Sequence, residues 1–180
     1  TDFAPIVRLI PGFESFDVAG AVTMQITAAG AIDAPALSAW VILADGSMRQ
    51  GTLPPLSDVT LAASYSAGMV SVSTATGRWQ GADVLMAGHA PAVLLGDRLP
   101  PAFLATLPAA LEPARFDVRV VGLSPEALRP FLDAESIDQI AGRVDFAADI
   151  TATTFDLDGV TADVRLDRAE VELARIPLAQ

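Results

Sequence analysis

A two-residue period of apolar side chains runs through most of this chain and restricts it to sheets that hide one face. Val22, Met24 and Ile26 alternate with Thr23, Gln25 and Thr27, and Val59, Leu61, Ala63 and Tyr65 alternate with Thr60, Ala62 and Ser64. The pattern returns in Val70 and Val72, in Val84 and Met86, and in Phe116, Val118 and Val120. It closes the chain in Val144 and Phe146, in Val164 and Leu166, and in Val171 and Leu173. Successive side chains of a strand point to opposite faces, so each run carries one apolar and one small or polar face. That is the signature of an antiparallel sheet solvated on one side. The uncharged stretch 59–77 is long enough to suggest a membrane helix, but its alternation is that of strands.

Two segments resemble each other about 122 residues apart, AGAVTMQI from Ala19 and AGRVDFAA from Ala141. After them Leu37, Ala39, Val41 and Leu43 match Val160, Ala162, Val164 and Leu166, and Leu53-Pro54 matches Ile176-Pro177. A fixed period of this kind marks a repeating assembly. The expected organisation is one repeat over 1–122, with a helical insert at 91–107 and a strand at 114–122. A second repeat begins over 123–180, with a short helix at 124–132 followed by strands. The chain reads as a segment of something longer.

Breaks in the alternation place the helices and turns. Helical character is expected over 5–10, 91–107 and 125–132. Ser124-Pro125-Glu126 combines an N-cap, a proline at the first helical position and an acid at the positive end of the dipole, while Pro130 shortens the helix. Turns are expected at Asp33-Ala34-Pro35, Asp45-Gly46-Ser47, Pro54-Pro55, Ala67-Gly68, Gly81 and Asp158-Gly159. Gly20 and Gly142 lie inside strands, where glycine marks a bulge or a close backbone approach.

Composition and motifs narrow the function classes. Apolar residues make up 52% of the chain and charged residues only 18%, a balance that fits either more apolar surface than a self-contained fold needs or simply an alanine-rich composition. A formal charge of −11 argues against nucleic acid as a partner, since phosphate binding needs clustered cations. Cysteine is absent, which removes disulfides and thiolate chemistry. His89 is the only histidine, and no nucleophile elbow, phosphate loop or dinucleotide fingerprint occurs. Asp156-Leu157-Asp158-Gly159 lacks the remaining ligands of a calcium loop and reads as a turn. No catalytic residue, metal site or cofactor is assigned, and an enzyme is the last of the readings. Asp163, Arg165 and Asp167 with Glu170 and Glu172 are expected to decorate the solvated face of two neighbouring strands.

The expected fold is mainly β with a few short helices, and its open form is a curved antiparallel sheet whose inner face is a hydrophobic groove. Its candidate lining is Val22, Met24, Ile26, Val41, Leu43, Val59, Leu61, Val70, Val72, Val84, Met86, Val118, Val120, Val144, Phe146, Ile150, Val164 and Leu166. The sealed form, a β-sandwich or barrel, is what the pattern alone favours, because a long apolar sheet face commonly meets a second sheet.

The segments Val18-Ala19-Gly20 and Ile140-Ala141-Gly142 with their adjoining strands, 29–37 (AGAIDAPAL), Gly77-Arg78-Trp79-Gln80-Gly81-Ala82 and Arg175-Ile176-Pro177-Leu178 resemble the repetitive β region of the TamB family, within the AsmA-like proteins of the bacterial envelope. In the second copy, 153–159 lacks the proline of the family's hairpin. The resemblance implies an elongated curved antiparallel sheet forming an open hydrophobic groove (a β-taco), a periplasmic segment of an inner-membrane-anchored protein whose groove conducts phospholipid acyl chains between the inner and outer membranes, and no catalytic residue. It also implies a TamA-like outer-membrane β-barrel as a partner. A scaffold for outer-membrane protein assembly and secretion is the second reading, and a sealed structural β domain of a surface protein the third.

Overall fold

The structure is a computed structural model that describes residues 16–31, 34–110, 112–128, 140–154 and 157–173. Among these residues eight strands are neighbours in space in chain order: β1 (Phe16–Ala31), β2 (Ala34–Gln50), β3 (Leu56–Ser66), β4 (Met69–Trp79), β5 (Ala82–Pro91), β6 (Ala114–Leu123), β7 (Ile140–Ala152) and β8 (Val160–Leu173). Every neighbouring pair is antiparallel, and the result is one curved, unclosed sheet with β1 and β8 as its edges. Alternation and short connections suffice for this meander, since each strand can turn back on its predecessor without a crossover. Seven spacings of about 4.8 Å make the sheet roughly 34 Å wide.

Among the described residues helical structure is confined to short pieces at the strand ends. Between β5 and β6 lie a 3₁₀ segment, Ala92–Arg98, and one α-helical turn, Pro101–Leu104, both inside 91–107. Pro125–Leu128 is 3₁₀, with the Ala127 amide donating to the Ser124 carbonyl. The expected helix at 5–10, the remainder of 125–132 and the matched 176–177 lie outside the described residues.

Bulges keep the faces in phase where the sequence alternation slips. Asp45-Gly46-Ser47, expected as a turn, lies inside β2: Asp45 adopts φ 50°, Gly46 pairs with Val59, and Met48 goes on to pair with Leu56. The strand continues because one left-handed residue absorbs the extra length, so that Leu43 and Gly46, three apart, share a face. Asp58, at φ 53°, does the same for Leu56 and Val59 in β3. The chain reverses instead after Gln50, before β3 begins at Leu56. Similarly, the acidic and basic residues from Asp163 to Glu172 belong to one strand, β8, rather than to two neighbouring ones. A register shift opposite Asp145 and Phe146 leaves Asp167 as the extra residue and resets the alternation.

The core is thin and lies on one face. Ala82, Val120, Leu123 and Ala127 cluster with Trp79, Val84, Val118 and Phe146 at one end of the strands. Ala90, Ala114 and Ala152 cluster with Leu94 and Phe116 at the other. Leu43 and Val59 are each 9% exposed, and no polar or charged side chain is buried among the described residues.

Candidate apolar groove

The ladders decide which side chains share a face, because directly opposed residues project to the same side. One row crosses all eight strands as Met24, Val41, Ala63, Val72, Gly88, Phe116, Ile150 and Ala162. A second crosses as Val22, Leu43, Leu61, Ala75, Met86, Val118, Ala148 and Val164. A third, over the last five strands, is Gly77, Val84, Val120, Phe146 and Leu166. Ile26 joins this face opposite Ala39, Val59 opposite Gly46, Val70 opposite Tyr65 and Val144 opposite Leu123. Each residue of the candidate lining therefore stands on one face of the sheet.

The same period adds residues that the candidate lining omits. Tyr65, Phe116 and Val160 fall on this face by alternation alone, and Leu56 and Trp79, which pair with each other, reach it only through the bulges in β3 and β4. Ala63, Ala75, Ala148 and Ala162 sit between the larger side chains, as the rows require. A search for bulky residues passes over these alanines, although they set the depth of the surface.

Burial along the face falls away at the two edge strands. Val120 is 7% and Ala148 8% exposed, whereas Met24 is 50%, Ile26 64%, Val164 63% and Leu166 61% exposed. The helical pieces account for the covered ends. Leu94 packs against Ala90, Ala114 and Ala152, the Phe103 ring lies 5.8 Å from that of Tyr65, and Ala127 packs against Ala82, Val120 and Leu123. Between the caps no second sheet covers the surface among the described residues. One hollow of about 160 Å³ opens there, bounded by Met24, Ala39, Trp40, Val41, Ala63, Ser64, Tyr65 and Val70.

The opposite face is mainly polar, with Ile42 and Leu85 exposed on it. Gln25, Trp40, Ser64, Ser71, His89, Arg115, Thr151 and Thr161 form a row across all eight strands, and Trp40 donates its indole N–H to Gln25 Oε1 at 3.1 Å. His89 is thus a β5 residue of the polar face, between Ser71 and Arg115. Asp117, Asp149 and Asp163 stand directly opposite one another on β6, β7 and β8. Close by, Asp167 pairs with Arg165 at 2.9 Å and with Arg119 at 3.6 Å. Hydrogen bonding to Asp167, and then its charge, hold the Arg165 guanidinium above its usual range, with Asp149 and Asp163 adding to the effect. Among the described residues no group of His, Asp or Glu has the arrangement of a metal site. No helix among them is long and apolar enough to cross a membrane.

Compared with protein-family models, with curated proteins and with solved structures, the chain matches none.

Proposed function

We propose that this chain is a segment of a hydrophobic conduit of the TamB kind, which shields phospholipid acyl chains on their way between the inner and outer membranes. The observation that carries the proposal is the apolar face itself: rows of Val, Leu, Met, Phe and Ala run from one edge of the sheet to the other without a polar side chain buried among them. Exposing an acyl chain to water costs about 0.8 kcal/mol per methylene, so a continuous apolar surface lowers the barrier to its movement without any covalent chemistry. The sheet's width of roughly 34 Å exceeds the ~15 Å of one leaflet's hydrocarbon, so an acyl chain could lie wholly along it. The burial pattern also suits the role, because a mobile ligand needs a surface that is open between fixed ends. Anchorage in the inner membrane and a TamA-like partner belong to the same proposal, on the strength of the sequence resemblance.

Native mass spectrometry of the purified chain, followed by lipid extraction, tests the reading. Phospholipid is expected to co-purify, and a Val41→Arg variant, which sets a charge beside the hollow, is expected to lose it while its far-UV circular dichroism is unchanged. A lipid-free chain, or a folded variant that retains its lipid, would overturn the proposal.

A further inference from the structure

We infer that the segment 92–108 between β5 and β6 is a strap that opens on a fixed base and uncovers one end of the apolar face. As a gate on acyl-chain binding it rests on the function proposed above, whereas the opening itself rests on the fold alone. The face ends there in a fourth row. Ile26, Ala39, Tyr65, Val70 and Ala90 oppose one another in turn across β1 to β5, and Ala114, Ala152 and Val160 do so across β6 to β8. Ala90 joins the two parts, since it clusters with Ala114 and Ala152. Ile26 and Val160 are exposed at the two edges of the row, while the three alanines between them are buried. Leu94 of the strap is packed against this alanine cluster, beside Phe116.

Both feet of the strap meet one turn, that between β3 and β4. The Ala92 amide donates to the Gly68 carbonyl at 2.7 Å, and the Pro108 ring comes so close that a Cβ on Gly68 would fall 2.5 Å from its Cγ. A loop whose ends are held together can move without carrying the strands that flank it. The strap is broken at Gly96, whose φ of 54° and ψ of −128° leave the helical range and suit glycine. Leu94 stands before this joint and Phe103 after it, so each arm has its own hold on the sheet. The second hold is slight: the Phe103 ring lies 5.8 Å from that of Tyr65, tilted by 54°, and no residue of Pro101–Leu104 is buried. Segments with so little buried surface open at a fraction of the free energy of global unfolding.

Tyr65 also bounds the hollow, with Met24, Val41 and Val70. Lifting the strap frees Tyr65 and the alanine cluster together and joins the hollow to the rest of the fourth row. An acyl chain then has one more apolar row to lie along. When closed, the strap fills that surface with its own Leu94 and Phe103, so strap and acyl chain compete for it. A ligand that binds only the open form draws the equilibrium toward it, and a change that raises a small open fraction tightens apparent binding by the same factor.

The chain has no cysteine, so A152C introduces a single thiol beneath the strap, and A90C supplies a second reporter in the same cluster if A152C does not fold. N-ethylmaleimide is expected to reach the thiol about tenfold faster, or more, than global unfolding measured in urea would allow, at a rate insensitive to low urea. G96V, added to this variant, places a branched side chain at a positive φ where no atom of the sheet lies within 4 Å. It is expected to speed labelling about tenfold with unchanged circular dichroism, because the strain falls on the closed strap. Palmitate is the ligand probe, and calorimetry should show it binding G96V more tightly by the factor by which labelling rises. Labelling that follows global unfolding would overturn the inference. Palmitate bound with unchanged affinity by a G96V chain that labels faster would overturn the gate. A chain that opens as expected yet binds no palmitate would uphold the strap and overturn the conduit instead.

Discussion

Truncating valines at two positions of the same apolar face should give very different losses of stability if that face is open at its β8 edge. Val120 is 7% exposed and lies among Ala82, Leu123, Ala127 and Phe146, whereas Val164 is 63% exposed. Val120→Ala removes two carbon groups from a covered site, about 1.6 kcal/mol at ~0.8 kcal/mol each, and the void left behind adds up to ~1 kcal/mol. The expected cost is therefore about 2 to 3 kcal/mol. At Val164 roughly two fifths of the side chain is withdrawn from water, so the transfer loss is about 0.6 kcal/mol, and water fills the space, so no void term applies. Both sites are in strands and lose similar β propensity, which leaves a gap of about 1.5 to 2 kcal/mol between the variants. Urea unfolding monitored by circular dichroism reads it directly. With a slope near 2 kcal/mol/M, the midpoint should fall by about 1 M for Val120→Ala and by about 0.3 M for Val164→Ala. Equal, large falls would mean that a second layer covers β8 as well, and the open-sheet account of the burial pattern would be wrong.

Gly88→Ala should be among the most damaging small substitutions, by about 3 kcal/mol or more in the same assay. An added Cβ would lie 2.3 Å from the Arg115 carbonyl oxygen and 2.8 Å from Phe116 Cα, both backbone atoms of β6 that can yield only by distorting the ladder. On the polar face, Asp149→Thr should stabilise the sheet by a few tenths to ~1 kcal/mol by removing a carboxylate placed directly between Asp117 and Asp163. That gain should shrink between 0.01 and 1 M salt, as the Debye length falls from about 30 to 3 Å; a gain independent of salt would rule out charge repulsion as its origin. Asp145→Ala should cost about 1 to 2 kcal/mol, because Asp145 Oδ1 accepts the Gly122 amide at 2.7 Å where the β6–β7 register slips. Faster hydrogen exchange at Gly122 would locate the effect, and unchanged exchange there would refute it.

Alternation made the strands and their apolar members legible because a pleated backbone gives each face every second residue whatever the surroundings. Val22, Met24 and Ile26, or Val118 and Val120, stay on one side in any sheet that keeps them paired. The places where the sequence misled are the places where neighbouring strands decide. Asp45-Gly46-Ser47 has the composition of a turn. It becomes a bulge because continuing lets Gly46 pack beside Leu43 and Met48 pair with Leu56. The break after Leu166 is a bulge for a related reason, since the β7 ladder resumes at Asp145 and Arg168 once Asp167 is left over.

By itself the sequence determined which residues could be apolar neighbours, where short helices interrupt the sheet, and that one strand pattern occurs twice. Only the tertiary structure decided that the eight strands lie in chain order in a single unclosed sheet, and that Leu43 is covered while Leu166, its match in sequence, is bare. The physical reason is that periodicity assigns a side chain to a face and carries no information about what meets that face. Burial depends on the third strand, the helical cap or the partner that arrives there, and those are contacts between segments distant in the chain.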